Sequence, residues 1–157
     1  MHLPCIVDRV VSKPVEAQLH AAPKNEHTSS RKQFGRPLAA FQLVGAHLAE
    51  MASQAALVEA MLGDAVRAQD AGAPDPSTTC LALVSARAAT SVARAAHQCH
   101  GAIGVTREYQ LHHFTRRLWS WRDEAGSERR WCNSLGSAAL LAPDAVWAST
   151  QPMEAEQ

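Results

Sequence analysis

Residues 37–74 read PLAAFQLVGAHLAEMASQAALVEAMLGDAVRAQDAGAP, and their spacing decides the fold. Phe41, Val44, Leu48, Met51, Ala55, Val58, Leu62 and Ala65 recur at steps of three and four, which places them on one helical face. Glu50, Glu59, Asp64, Arg67 and Asp70 supply polar surface around that stripe. Pro37 suits a first helical turn and Ala71-Gly72-Ala73-Pro74 is a breaker, so one long helix is predicted between them.

The segment that follows repeats the logic. Asp75 then Pro76 reads as an N-cap with proline at the first helical position, and the stripe Leu81, Val84, Ala88, Val92, Ala95, Cys99 follows. This second long helix is expected to stop at Gly101-Ala102-Ile103-Gly104, whose glycines permit positive φ. A shorter helix is predicted over 108–118 and another from near Gly126 to about Leu141, with Pro143 closing it. Alanine is abundant, β-branched runs are scarce and no repeat of 20 to 50 residues is present. The expected class is all-α, an antiparallel four-helix-type bundle over residues 31–141. Residues 1–30 carry Pro4, Pro14 and Pro23 and a polar run from Lys24 to Ser30 without a sustained period, so they read as an irregular arm. Residues 142–157 read as a tail.

At 157 residues the chain has room for one domain with a real core. Lys plus Arg and Asp plus Glu each number 15, so bulk charge favours neither nucleic acid nor an anionic membrane. Cys5, Cys80, Cys99 and Cys132 form no C-x-x-C pair, and no apolar run of signal-peptide or membrane-span length occurs. Free thiols in a reducing cytoplasm are the expectation.

Three local strings carry more than periodicity does. The first is Arg31-Lys32-Gln33-Phe34-Gly35-Arg36-Pro37-Leu38 with Phe41-Gln42, at the entrance to the first long helix. The second is His97-Gln98-Cys99-His100-Gly101-Ala102-Ile103-Gly104-Val105-Thr106-Arg107-Glu108-Tyr109, and the third is Trp121-Arg122-Asp123-Glu124-Ala125-Gly126-Ser127-Glu128. Singly they read as solvated cations, a helix stop and a helix start. In this order they resemble the C-terminal helical domain of the flavin-dependent acyl-CoA dehydrogenases, whose pattern runs R-x-x-F-G with a glutamine on the next helix, then Q-x-x-G-G-x-G-x-T-x-E-Y, then E-G-T.

The resemblance implies FAD held mainly by a neighbouring subunit. Arg31 would pair with the pyrophosphate, through a guanidinium that forks onto two oxygens, and Phe34 would pack beside the adenosine. Gln42, Gln98, Gly101 and Ala102 would meet the same dinucleotide across a subunit interface. Ala102 replaces the second glycine of the family string. Gly126 and Ser127 match G-T, at a helix start able to receive flavin or phosphate. It also implies an acyl-CoA substrate, oligomers with acyl-CoA dehydrogenase subunits, and a helical and a β domain beyond this sequence.

The pattern departs at the base. An ungapped count puts Ala125 where many members carry the glutamate that removes the proton α to the thioester. Glu124, one position earlier, is the candidate, and Glu128 lies one turn on. Leu118-Trp119-Ser120-Trp121-Arg122-Asp123-Glu124 with Trp131 resembles actinobacterial-type members that take bulky acyl-CoA substrates, some as heteromers in which one subunit lacks the base. Core or interface packing is the plainer role for these tryptophans. Arg116, Arg117, Arg122, Arg129 and Arg130, interspersed with Asp123, Glu124 and Glu128, read as a salt-bridged helix surface and not as an RNA site. His97 and His100 share a helical face; His112 and His113 are adjacent and read as facing apart, and no metal site is expected. Three functions follow as expectations: a flavin-dependent acyl-CoA dehydrogenase present as a partial chain or subunit, a noncatalytic family subunit serving oligomerisation, or an unrelated helical interaction module.

Overall fold

The computed structural model describes residues 26–72, 76–124 and 126–142. It is an all-α bundle built on two long helices. Helix α1 is Glu26–Ser30, followed by a minimal hairpin of β1 (Lys32–Gln33) and β2 (Arg36–Pro37). Helix α2 spans Gln42–Asp70, α3 Pro76–His100, α4 Leu111–Glu124 and α5 Glu128–Leu141. Short 3-10 segments at Leu38–Ala40 and Gly101–Val105 lead into α2 and out of α3.

The two predicted stripes meet each other. Val58 and Ala65 of α2 form one buried cluster with Leu81 and Ala88 of α3, flanked by half-buried Met61, Leu62 and Val84. Burying a leucine of this kind stabilises by about 1.5–3 kcal/mol. Ser91 Oγ donates to Glu50 Oε1 at 2.7 Å beyond the apolar seam, which sets the helices antiparallel with the start of α2 beside the end of α3. Helix α3 is the shared element: α2, α4 and α5 all pack on it. It therefore buries Ala82, Ala86, Ala89 and Ala93 in addition to its predicted stripe. Small side chains let several helix backbones approach one axis.

Helix boundaries moved in three places. Helix α2 begins at Gln42, because Leu38–Ala40 winds as a 3-10 turn and Phe41 takes an extended φ of −91° with ψ 131°. Helix α4 runs from Leu111 to Glu124, later than the expected 108–118. The 3-10 segment after Gly101 and the turn at Thr106 consume the intervening residues, with Thr106 Oγ1 donating to the Ile103 carbonyl at 3.0 Å. Helix α5 starts one cap later than Gly126: Ser127 is the N-cap, its hydroxyl accepting from the Arg130 amide at 3.3 Å. The last residues of the expected irregular arm, Glu26–Ser30, are helical. Asp75, Ala125 and Pro143 lie outside the described residues.

None of Cys80, Cys99 and Cys132 forms a disulfide, and burial pushes the Cys99 thiol up from its ordinary value. No helix among the described residues is long and apolar enough to cross a membrane.

Candidate functional site at one end of the bundle

The Arg31–Pro37 hairpin is held by register. Gln33 faces Arg36 and Lys32 faces Pro37, leaving Phe34 and Gly35 as a two-residue loop. Both take left-handed conformations, φ 51° and 79°, as such a loop demands to match strand twist. Glycine does this freely, but a phenylalanine there costs about 1–2 kcal/mol. The result is a ring that is 92% exposed at the tip. Its edge faces Phe41 at 6.2 Å between centroids, and the Arg36 guanidinium sits 4.1 Å over the Phe41 ring. Arg31 lies at the hairpin's base, its amide donating to the His27 carbonyl at 3.0 Å and its carbonyl accepting from Leu38 at 2.9 Å. Its side chain is exposed and is in no ion pair among the described residues.

An aromatic stack ties this hairpin to the end of α3. The His27 and His100 rings stack at 4.5 Å, and Tyr109 closes on both at 5.9 and 5.2 Å. Arg31, Phe34 and Gln42 are thus brought to the same end of the bundle as Gln98, Gly101 and Ala102. Gly101 has φ 61°, and a Cβ there would meet nothing within 4 Å, so the turn is open to close approach from outside. Gly104, three residues on, is the opposite case: it is buried against His100, Leu111 and His97. Exposed guanidinium, exposed ring, exposed glutamines and an open glycine turn fit the phosphates and adenosine of a dinucleotide.

Gly126 and Ser127 are not part of that cluster. They sit between α4 and α5, where Arg87 Nε donates to Glu128 Oε1 at 2.7 Å and Arg122 donates to Thr90 Oγ1 at 3.1 Å. Arg87 and Thr90 lie about 15–20 Å along α3 from His100 at 1.5 Å per residue. Gly126 has φ 116° and lies against the Trp131 indole, and the Ser127 hydroxyl is used as a helix cap. Between the two places runs a groove of about 710 Å³, lined by His47, Glu50, Arg94 and Gln98 and reaching Arg87 and Glu128. His47 and Arg94 were not singled out in the sequence, because each is a lone polar residue between stripe positions.

The carboxylates near residue 125 differ in engagement. Glu128 is bound by Arg87, an arginine of α3 and not one of the α4–α5 cluster. A further ion pair joins Arg67 and Asp64 within α2. Glu124 is exposed and accepts a hydrogen bond from Ser120 at 3.0 Å. His112 and His113, expected to face apart, have ring centroids 3.9 Å apart. Among the described residues no group of three or more His, Cys, Asp or Glu is placed to hold a metal.

The class is thus an all-α domain built on two long antiparallel helices, with two of its three motif-bearing turns at one end. The description "Acyl-CoA dehydrogenase, C-terminal domain" matches residues 23–140, and the chain belongs to the acyl-CoA dehydrogenase family. A curated relative, the acyl-CoA dehydrogenase IpdE2 of Mycobacterium tuberculosis, is 34% identical over 93 residues, covering 59% of this chain and 28% of the relative. Butyryl-CoA dehydrogenase from Megasphaera elsdenii superposes with a TM-score of 0.75 at 25% identity, over 86% of this chain and 35% of that one. The Tcur3481-Tcur3483 steroid ACAD shares the fold with a TM-score of 0.77 at 24% identity, over 92% of this chain and 39% of its own. The chain spans about a third of the length of the relatives it matches.

Proposed function

We propose that this chain is the FAD-facing helical part of a flavin-dependent acyl-CoA dehydrogenase, working in the cytoplasm as a partial chain or subunit whose partner supplies the flavin-holding domain. The observation that carries the reading is the convergence of Arg31, Phe34 and Gln42 with Gln98 and Gly101 at one exposed end of the bundle. Arg31 would take the pyrophosphate, Phe34 the adenosine side, and Gln42, Gln98 and the Gly101–Ala102 backbone the rest of the dinucleotide's edge. Gly126 and Ser127, between α4 and α5 and next to the Glu128 that Arg87 binds, would meet flavin or phosphate at a separate place. Bound flavin would accept hydride from the β carbon of the acyl-CoA substrate.

Proton removal from the α carbon falls to a carboxylate of the chain or of a partner. Glu124 is the better placed of the two candidates for mobility, since it carries a single serine hydrogen bond while Glu128 is tied to Arg87. That same tie, with Ala125 at the expected position, favours a second reading: a noncatalytic subunit that supports an oligomer while its partner holds the base.

Co-purification with the product of a neighbouring reading frame, followed by a flavin absorbance spectrum, tests the proposal. A yellow complex is expected, and a colourless protein that never acquires flavin sinks it. In a flavinylated complex, Glu124→Gln should abolish turnover; an unchanged rate removes Glu124 and leaves the noncatalytic reading.

A further inference from the structure

The imidazoles that join α1 to α3 are unusually arranged for a structural contact. His27 and His100 stack at 4.5 Å with an interplanar angle of 18°. Tyr109 packs on both from the turn before α4. His100 Nδ1 lies 2.7 Å from the Ala96 carbonyl, which fixes a proton there, and its Nε2 is buried without a partner. One turn back, His97 Nε2 lies 3.1 Å from Thr115 Oγ1 of α4, and its Nδ1 is buried and unpartnered. Arg31 after α1 acts on His27 by its charge, and His112 on α4 has its Nδ1 2.7 Å from the Tyr109 carbonyl.

We propose that the His27–His100–Tyr109 stack is an acid-released clasp, which holds α1 and the Arg31–Pro37 hairpin against the last turn of α3 while the imidazoles are neutral and lets them go when both are charged. Two imidazolium rings at stacking distance, beside a guanidinium, repel, and partial burial removes the water that would screen them. The direction of titration agrees with the geometry. His27 is held below its ordinary 6.5 by burial first, then by the charges of His100 and Arg31, and His97 by burial and then His100. A group depressed on closing stabilises the closed form above its open-state pKa, and that stability is lost as pH falls through the lower, closed-state value. The window is therefore from just above pH 6.5 downward. Opening would release the hairpin that carries Arg31 and Phe34.

Amide hydrogen exchange on the full chain tests this without flavin, and so independently of the proposed enzymatic role. The reporters are the Arg31 amide, which donates to the His27 carbonyl at the end of α1, and the Leu38 amide, which donates to the Arg31 carbonyl across the hairpin base. After correction for intrinsic rates, their exchange should rise between pH 7.5 and 5, in the direction that the depression of His27 on closing requires. Mid-helix amides of α2 and α3 should not change. Equal protection of the two reporters at both pH values overturns the proposal. His27→Phe keeps a ring in the stack and removes the charge, so protection should persist at pH 5. If that variant fails to dock, ring titration of His27 in the unaltered chain decides: an ordinary titration overturns the clasp, and a depressed one supports it.

Discussion

Adding one methyl group at Gly104 and the same methyl group at Gly136 should move stability in opposite directions. At Gly104 a Cβ would stand 2.9 Å from His100 Cβ, 3.0 Å from Leu111 Cδ2 and 3.4 Å from His97 Nδ1. Carbon atoms prefer about 3.5–4.0 Å. The His100 Cβ is fixed by the backbone of α3 and cannot swing away. Leu111 is 6% exposed and has no free volume to turn into. Overpacking of this kind costs about 1–3 kcal/mol. At Gly136, inside α5, the added Cβ meets nothing within 4 Å, so alanine should gain about 0.5–1 kcal/mol by restricting the unfolded chain. Urea denaturation followed by circular dichroism at 222 nm measures both. The two variants should differ by about 1.5–4 kcal/mol, or roughly 3–16 °C in Tm for a chain of this size. A Gly104→Ala variant within about 0.5 kcal/mol of the parent would refute the packing of the Gly101–Val105 turn onto α3 and α4.

Leu81→Ala should cost about 2–5 kcal/mol in the same assay, because Leu81 is 1% exposed at the centre of the α2–α3 seam. Ser127→Ala should cost about 1 kcal/mol by removing the cap on the Arg130 amide, and Ser127→Asp should retain most of it. Global stability should fall as pH drops below 6.5, since His27 and His97 are both held below their ordinary values in the fold; a flat profile from pH 7.5 to 5 would contradict this.

The long helices were legible because their large residues recur at helical steps: Val58, Ala65, Leu81, Ala88, Ala95 and Cys99 are all buried as the two stripes require. What periodicity understated was α3. Ala82, Ala86, Ala89 and Ala93 are too small to mark a second apolar face, yet that face exists because α3 is packed on several sides. The early start assigned to α4 followed the Glu108-Tyr109 string, whereas the backbone needs those residues to leave the 3-10 segment. At the site, ordered motifs pointed to Arg31, Phe34, Gln98 and Gly101, and the fold gathers them at one end. The joint that gathers them was invisible, since His27 lies in a stretch without period and stacks on a residue at the far end of α3. Pairing across such a separation is a tertiary fact that no local spacing encodes.

The Phe34 tip has one more consequence. A ring displayed on a flexible loop must be immobilised at the moment of docking, and that loss of freedom subtracts from affinity. Here the two left-handed residues and the short ladder beneath them fix the direction in which the Phe34 side chain leaves the backbone. The backbone strain is absorbed when the chain folds, so under the proposed role a surface receiving Phe34 would meet a side chain whose point of departure is already set. Recognition at this end should accordingly discriminate by shape, tolerating little change in the receiving pocket while losing little to entropy.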